Sequence, residues 1–174
     1  SWNVSNAANM SHMFSGAKTF NQPLVNWNVS NVTNMLAMFQ GSNFNQTIGG
    51  WDVSKVTNMT SMFGNVNNFN QDISGWDVSN VTEMNYMFGF TAFDQDLGSW
   101  NVSNVSKMVA MFESTALSIE NYNKTLIGWS QLTSLQNSVE LGASQYYCSS
   151  KDSRKYIIDT YSWVINDWGL DFNC

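Results

Sequence analysis

Residues 76–88 read W-D-V-S-N-V-T-E-M-N-Y-M-F, and residues 93–97 continue with F-D-Q-D-L. The same order recurs along the chain. Trp2, Trp27, Trp51, Trp76 and Trp100 each precede by eight positions a methionine pair at 10/13, 35/38, 59/62, 84/87 or 108/111. A phenylalanine follows each pair, at Phe14, Phe39, Phe63, Phe88 and Phe112. The tryptophans are spaced 25, 24, 25 and 24 residues apart, and all ten methionines of the chain belong to the pairs. A fixed period in this range marks stacked units, because one unit cannot bury a Trp, two Met and two Phe by itself.

Inside a unit, Phe44 to Val53 carries apolar residues spaced for an extended, turning strand. Val56, Met59, Met62 and Phe63 fall at the 3–4 spacing of a helical or 3₁₀ turn, with Ser54 placed ahead as its cap. The expectation is a repeat solenoid with one short parallel strand and one short helical turn in every coil. Unit length varies by one residue between the two Phe positions, so that segment reads as a surface loop.

The repeat W-D-V-S-N-V-T-x-M-x-x-M-F followed by F-x-Q-D-[IL] resembles that of the BspA-like leucine-rich-repeat surface proteins. The resemblance implies a leucine-rich-repeat-like solenoid, a bacterial secreted or cell-surface location and a role in adhesion. The tail also resembles the region that closes the array in secreted members of that group, through N-Y-x-x-x-L-I-G-W, Y-C and W-x-I-x-D.

The expected organisation is a repeat solenoid over residues 1–112 and a mixed α/β capping region over 113–174. In the cap, Ile119, Tyr122, Leu126 and Trp129 share a helical face, with Ser118 as N-cap, Glu120 in the first turn and Gly128 as the stop. A second helix is expected from Lys151 to Tyr161, and a strand at Trp163–Ile165. The two cysteines, Cys148 and Cys174, both lie here. They are expected to form a disulfide stabilising the fold by roughly 3 kcal/mol on the loop-entropy model. That bond points to an oxidising compartment. The opening Ser1-Trp2 without Met reads as a piece of a longer parent chain with other domains.

Composition narrows the function. Charged residues make up only 11% of the 174, and seven Lys+Arg against thirteen Asp+Glu give a net charge of −6. Nucleic-acid binding needs clustered positive charge, so that partner is excluded. No apolar run is long enough for a membrane span. Asp72, Asp77, Asp94 and Asp96 lie close in coil terms, but other units place Asn or Thr at their positions, as at Thr47 and Asn28. They read as loop residues rather than as a glycosidase pair or a Ca²⁺ site. His12, the one histidine, occupies a position held elsewhere by Ala37, Ser61, Tyr86 and Ala110. No enzyme activity, cofactor or metal site is expected, and the methionine pairs read as core rather than soft-metal ligands.

In a repeat protein the binding surface lies where copies diverge. Tyr86, between the methionines of the fourth unit, and Phe90, in the loop behind them, are the candidate contact residues. The functional expectation is a non-enzymatic extracellular adhesion module with a protein or glycan ligand. The alternative is a structural spacer with no ligand of its own.

Overall fold

The computed structural model describes residues 2–174. Successive units lie on one another in register, but the leucine-rich-repeat-like solenoid expected above is not what forms. Residues 2–107 hold no helix and no strand, only turns and bends. Adjacent units are joined by isolated parallel bridges, Asn9 to Asn34 to Asn58 to Glu83 to Lys107.

The backbone hydrogen bonds explain why neither element develops. In the second unit, the N–H groups of Met35, Ala37, Phe39 and Gly41 donate to Asn58, Thr60, Met62 and Gly64 of the next unit at 2.8–2.9 Å. The alternate residues turn back instead, Met38 donating to Met35 at 3.1 Å and Gln40 to Ala37 at 3.2 Å. Every second donor is thus committed between units, so no i→i−4 ladder can grow. The M-x-x-M-F segment also carries a left-handed residue between its methionines: His12, Ala37, Ser61, Tyr86 and Ala110 all have φ between 52° and 58°. A residue in that conformation ends a right-handed turn. Ser54 is not a helix cap either. Its N–H and hydroxyl donate to Asp52 Oδ1 at 3.1 and 2.6 Å, an Asx turn that recurs at Asn28, Asp72, Asp77 and Asn101.

The interior follows the sequence columns. From Met35 to Met111 both methionine columns are 0% exposed, and so are Phe39, Phe63 and Phe88. The rings of Phe14, Phe39, Phe63, Phe88 and Phe112 stack at 5.6–5.9 Å. Trp51, Trp76 and Trp100 are buried, and each indole N–H donates to a carbonyl 27 or 28 residues back: Leu24, Ile48 and Ile73, at 3.1–3.2 Å. That bond satisfies the one polar atom a buried Trp carries.

Behind Lys107 regular elements begin: β1 Met108–Phe112, α1 Ile119–Ser130, β2 Glu140–Ala143, β3 Tyr146–Tyr147, α2 Lys151–Tyr161, β4 Val164–Asn166 and β5 Gly169–Leu170. β1, β2 and β4 form a parallel sheet in that order, and β3 pairs with β5. The strand read at 163–165 is therefore displaced by one residue. β1 is the last methionine segment, and β2 lies on it where a sixth unit would lie. On the aromatic side α1 does the same: Trp129 is fully buried and its Nε1 donates to Leu97 O at 3.0 Å, continuing the Trp column. One hydrophobic cluster runs from Met10 to Ile165.

Gly128 is not the stop of α1, which continues to Ser130. It is a contact point, since a Cβ there would fall 2.2 Å from Gly98 O and 2.5 Å from Gly98 Cα. Gly128→Ala, which would add about 1 kcal/mol in a free helix, is expected here to destabilise by about 1–3 kcal/mol. Urea midpoints of the two proteins check the sign.

Candidate functional site

The structure places Tyr86 and Phe90 on the outer surface, 45% and 47% exposed, on one turn closed by Gly89 N–H donating to Tyr86 O at 3.1 Å. Both occupy left-handed backbone, with φ of 54° and 60°. The columns they belong to explain their exposure. The Phe90 position is Gly16, Gly41, Asn65 and Ser114 in the other units, each with positive φ. A bulky side chain in this region carries a conformational cost of roughly 1–2 kcal/mol, while Gly and Asn are admitted readily. Small residues therefore suit the scaffold at this position, and the fourth unit departs from them there with Phe90.

Hydrogen bonds from the Ser74 and Ser79 hydroxyls and N–H groups hold Asp72 and Asp77 below the ordinary carboxylate value, as Ser54 does for Asp52. A general acid requires the opposite shift. Among the described residues no three His, Cys, Asp or Glu side chains converge as a metal site. His12 is exposed.

Asp94 has a positional role that its repeat column hides. The column is a ladder in which the side-chain oxygens of Asn21, Asn45 and Asn70 accept the N–H of Asn45, Asn70 and Asp94 at 2.9–3.2 Å. At its end Asp94 Oδ1 accepts the N–H and hydroxyl of Ser118 at 2.8 and 2.7 Å and the Asn121 amide at 2.8 Å. A carboxylate replaces the amide where the ladder meets the first turn of α1, whose free N–H groups favour negative charge. Burial alone would raise the Asp94 pKa, but these donors outweigh it and the value lies below the usual 3.8. A depressed native pKa makes its stabilisation complete above 3.8 and lost as pH falls through the lower native value. Asp94→Asn is therefore expected to be less stable than the parent at pH 7, with the gap narrowing below pH 3.8. Thermal midpoints across that range test this.

Cys148 and Cys174 are joined as a disulfide, with Cα atoms 6.0 Å apart. A groove of about 540 Å³ beside it is lined by Cys148, Ser149, Lys151, Leu170, Asp171, Phe172 and Cys174. Nearby, and missed in the sequence, is a buried polar cluster. Arg154 Nε and Nη2 donate to Asp167 Oδ2 and Oδ1 at 2.8 and 3.0 Å, and the Tyr122 hydroxyl donates to Asp167 Oδ2 at 2.9 Å. The guanidinium also lies 4.6 Å from the centre of the Tyr147 ring. Burial, then the adjacent Asp167 carboxylate, push the Tyr122 pKa well above its ordinary value. The network ties α1 and α2 to the segment before β5.

Among the described residues no helix is long and apolar enough to cross a membrane. No curated protein and no solved structure matches the chain. A family model described as "Mycoplasma protein of unknown function, DUF285" matches residues 1–46 and 40–145. Those two matches take in the five units together with α1 and β2, so the chain belongs to this family of unknown function.

Proposed function

We propose that this chain is a non-catalytic adhesion module of a secreted or cell-surface protein, akin to the BspA-like surface proteins that its repeat resembles. The observation that carries the reading is the Tyr86–Phe90 pair: two exposed aromatics on one turn, Phe90 where other units carry Gly, Asn or Ser and Tyr86 where they carry His, Ala or Ser. Exposed aromatics offer rigid contact area to a protein or a sugar ring. The disulfide supports an oxidising, extracellular setting.

A spacer role is the second reading. It is favoured by the outer Asn/Ser/Thr ladders, such as Thr33, Thr57, Thr82 and Ser106 each donating to the preceding unit, which bind neighbours rather than an outside ligand.

A glycan and matrix-protein array separates the two. The parent protein is expected to bind at least one class of ligand, with Tyr86→Ala/Phe90→Asn weakening it tenfold or more. Phe90→Asn alone is expected to raise stability by about 1 kcal/mol, since Asn tolerates the left-handed region. Absence of binding to either array would leave the spacer reading in its place.

A further inference from the structure

The outer face that carries Tyr86 and Phe90 continues past the fourth unit into the cap. Tyr86 N–H donates to Val109 O at 2.9 Å and Phe90 N–H to Glu113 O at 2.7 Å, which sets Tyr86 beside Ala110 and Phe90 beside Ser114. β2 lies next. The Ser114 N–H donates to Ser144 Oγ at 2.9 Å, and a Cβ on Gly142 would fall 2.7 Å from Ala110 Cα. β4 follows, with Gly142 opposite Asn166 and the Trp168 N–H donating to Gln145 O at 2.9 Å. Side chains alternate along a strand, so the burial of Leu141, Ala143 and Ile165 turns Gly142, Ser144 and Asn166 outward. Trp168 faces the same way as Tyr86 does: it is 59% exposed and meets Tyr146 edge-on, with ring centres 5.2 Å apart.

Two aromatic pairs thus bound a floor of small, uncharged residues, from Ala110 and Ser114 through Gly142 and Ser144 to Asn166. Neighbouring strands lie about 4.8 Å apart, so the three steps from Phe90 to Trp168 span about 14 Å. The stretch from Tyr86 to Phe90 sets a width of at most about 14 Å, which limits this ledge to roughly 200 Å². A standard protein interface takes about 800 Å² from each partner, so the ledge suits a smaller ligand. Aromatic rings offer flat faces to the C–H side of a pyranose, and the hydroxyl and amide groups between them match its hydroxyls. Glu113, next to Ser114, and Glu140, opposite Val164, stand at the margins and disfavour an anion.

We infer, on the basis of the adhesion reading above, that this ledge binds a neutral linear oligosaccharide, stacked at one end on Tyr86 and Phe90 and at the other on Trp168. A ligand that spans both pairs gains from each, and one too short to span them does not.

Calorimetric titration with neutral cello-, malto- and chito-oligosaccharides, each from mono- to hexasaccharide, tests this. In at least one series affinity is expected to rise with length and to level off once the ligand reaches both pairs. Trp168→Ala and Tyr86→Ala/Phe90→Asn are each expected to weaken the longest member about tenfold and to remove its advantage over the shortest. Trp168→Phe, which keeps a ring, is expected to recover most of the loss, and a sulfated form of the same oligosaccharide to bind less well than the neutral one. Oligosaccharide binding that Tyr86→Ala/Phe90→Asn weakens and Trp168→Ala leaves untouched overturns the ledge while the adhesion reading stands. Binding of a matrix protein through Tyr86 and Phe90, with no oligosaccharide bound, does the same. Binding of neither class overturns both.

Discussion

Asp167→Ala is expected to lower stability by about 3–5 kcal/mol, measured as a shift in the urea midpoint at constant slope. The Asp167 side chain is 1% exposed and that of Arg154 18%. Removing the carboxylate strands a guanidinium that otherwise makes two charge-assisted bonds to it, and takes the acceptor from the buried Tyr122 hydroxyl. The penalty comes from the uncompensated charge rather than from the worth of the pair. The double variant Arg154→Met/Asp167→Leu, which removes both charges, is therefore expected to recover most of the loss. A double variant as unstable as Asp167→Ala alone would show that the pair is valued for its geometry.

Phe63→Ala is expected to have an effect of similar size, about 3–5 kcal/mol, for a wholly apolar reason. Phe63 is fully buried in the middle of the array and stacks on Phe39 at 5.7 Å, Phe88 at 5.9 Å and Phe69 at 3.8 Å. Both flanking units are pinned to it by backbone bonds, Phe39 N–H to Met62 O and Phe63 N–H to Met87 O, so the gap cannot close by one unit sliding. Phe14→Ala, at an end with a neighbour on one side only, is expected to cost less. Equal losses at the two positions in thermal or urea unfolding would mean that the column acts through each ring alone rather than through its stack.

The two positions also show which parts of the fold are readable from sequence. Columns of Met, Phe and Trp are legible because each unit buries the same side chain at the same depth. The path of the backbone between them is not. The Val56–Phe63 spacing fits a helical turn, yet the N–H groups of Met59, Ser61 and Phe63 leave for the next unit, and no apolar pattern records where a donor goes. Gly128 misleads in the same way: a glycine near a helix end reads as a stop, whereas the close approach of Gly98 that requires it is a long-range contact.

At the surface, Tyr86 and Phe90 were legible as departures from a repeated column, although their left-handed backbone was not. Asp94 carried an overlooked signal, since the column changes from Asn21, Asn45 and Asn70 to a carboxylate at the unit that meets α1. Arg154 carried none, and Asp167 stood only as the last residue of W-x-I-x-D, with no partner indicated. They lie outside the repeat, so no second copy marks them as unusual, and their pairing depends on how α2 returns to the sheet.

The single register of bonds from Asn9 to Lys107 has a mechanical consequence. Each unit is held only through its neighbours in the array. The Cys148 end is bolted by a covalent link, a buried ion pair and a helix. Opening under heat, force or protease should therefore stall at that end, which leaves the fourth unit's aromatic pair, close to it, among the last parts to be lost.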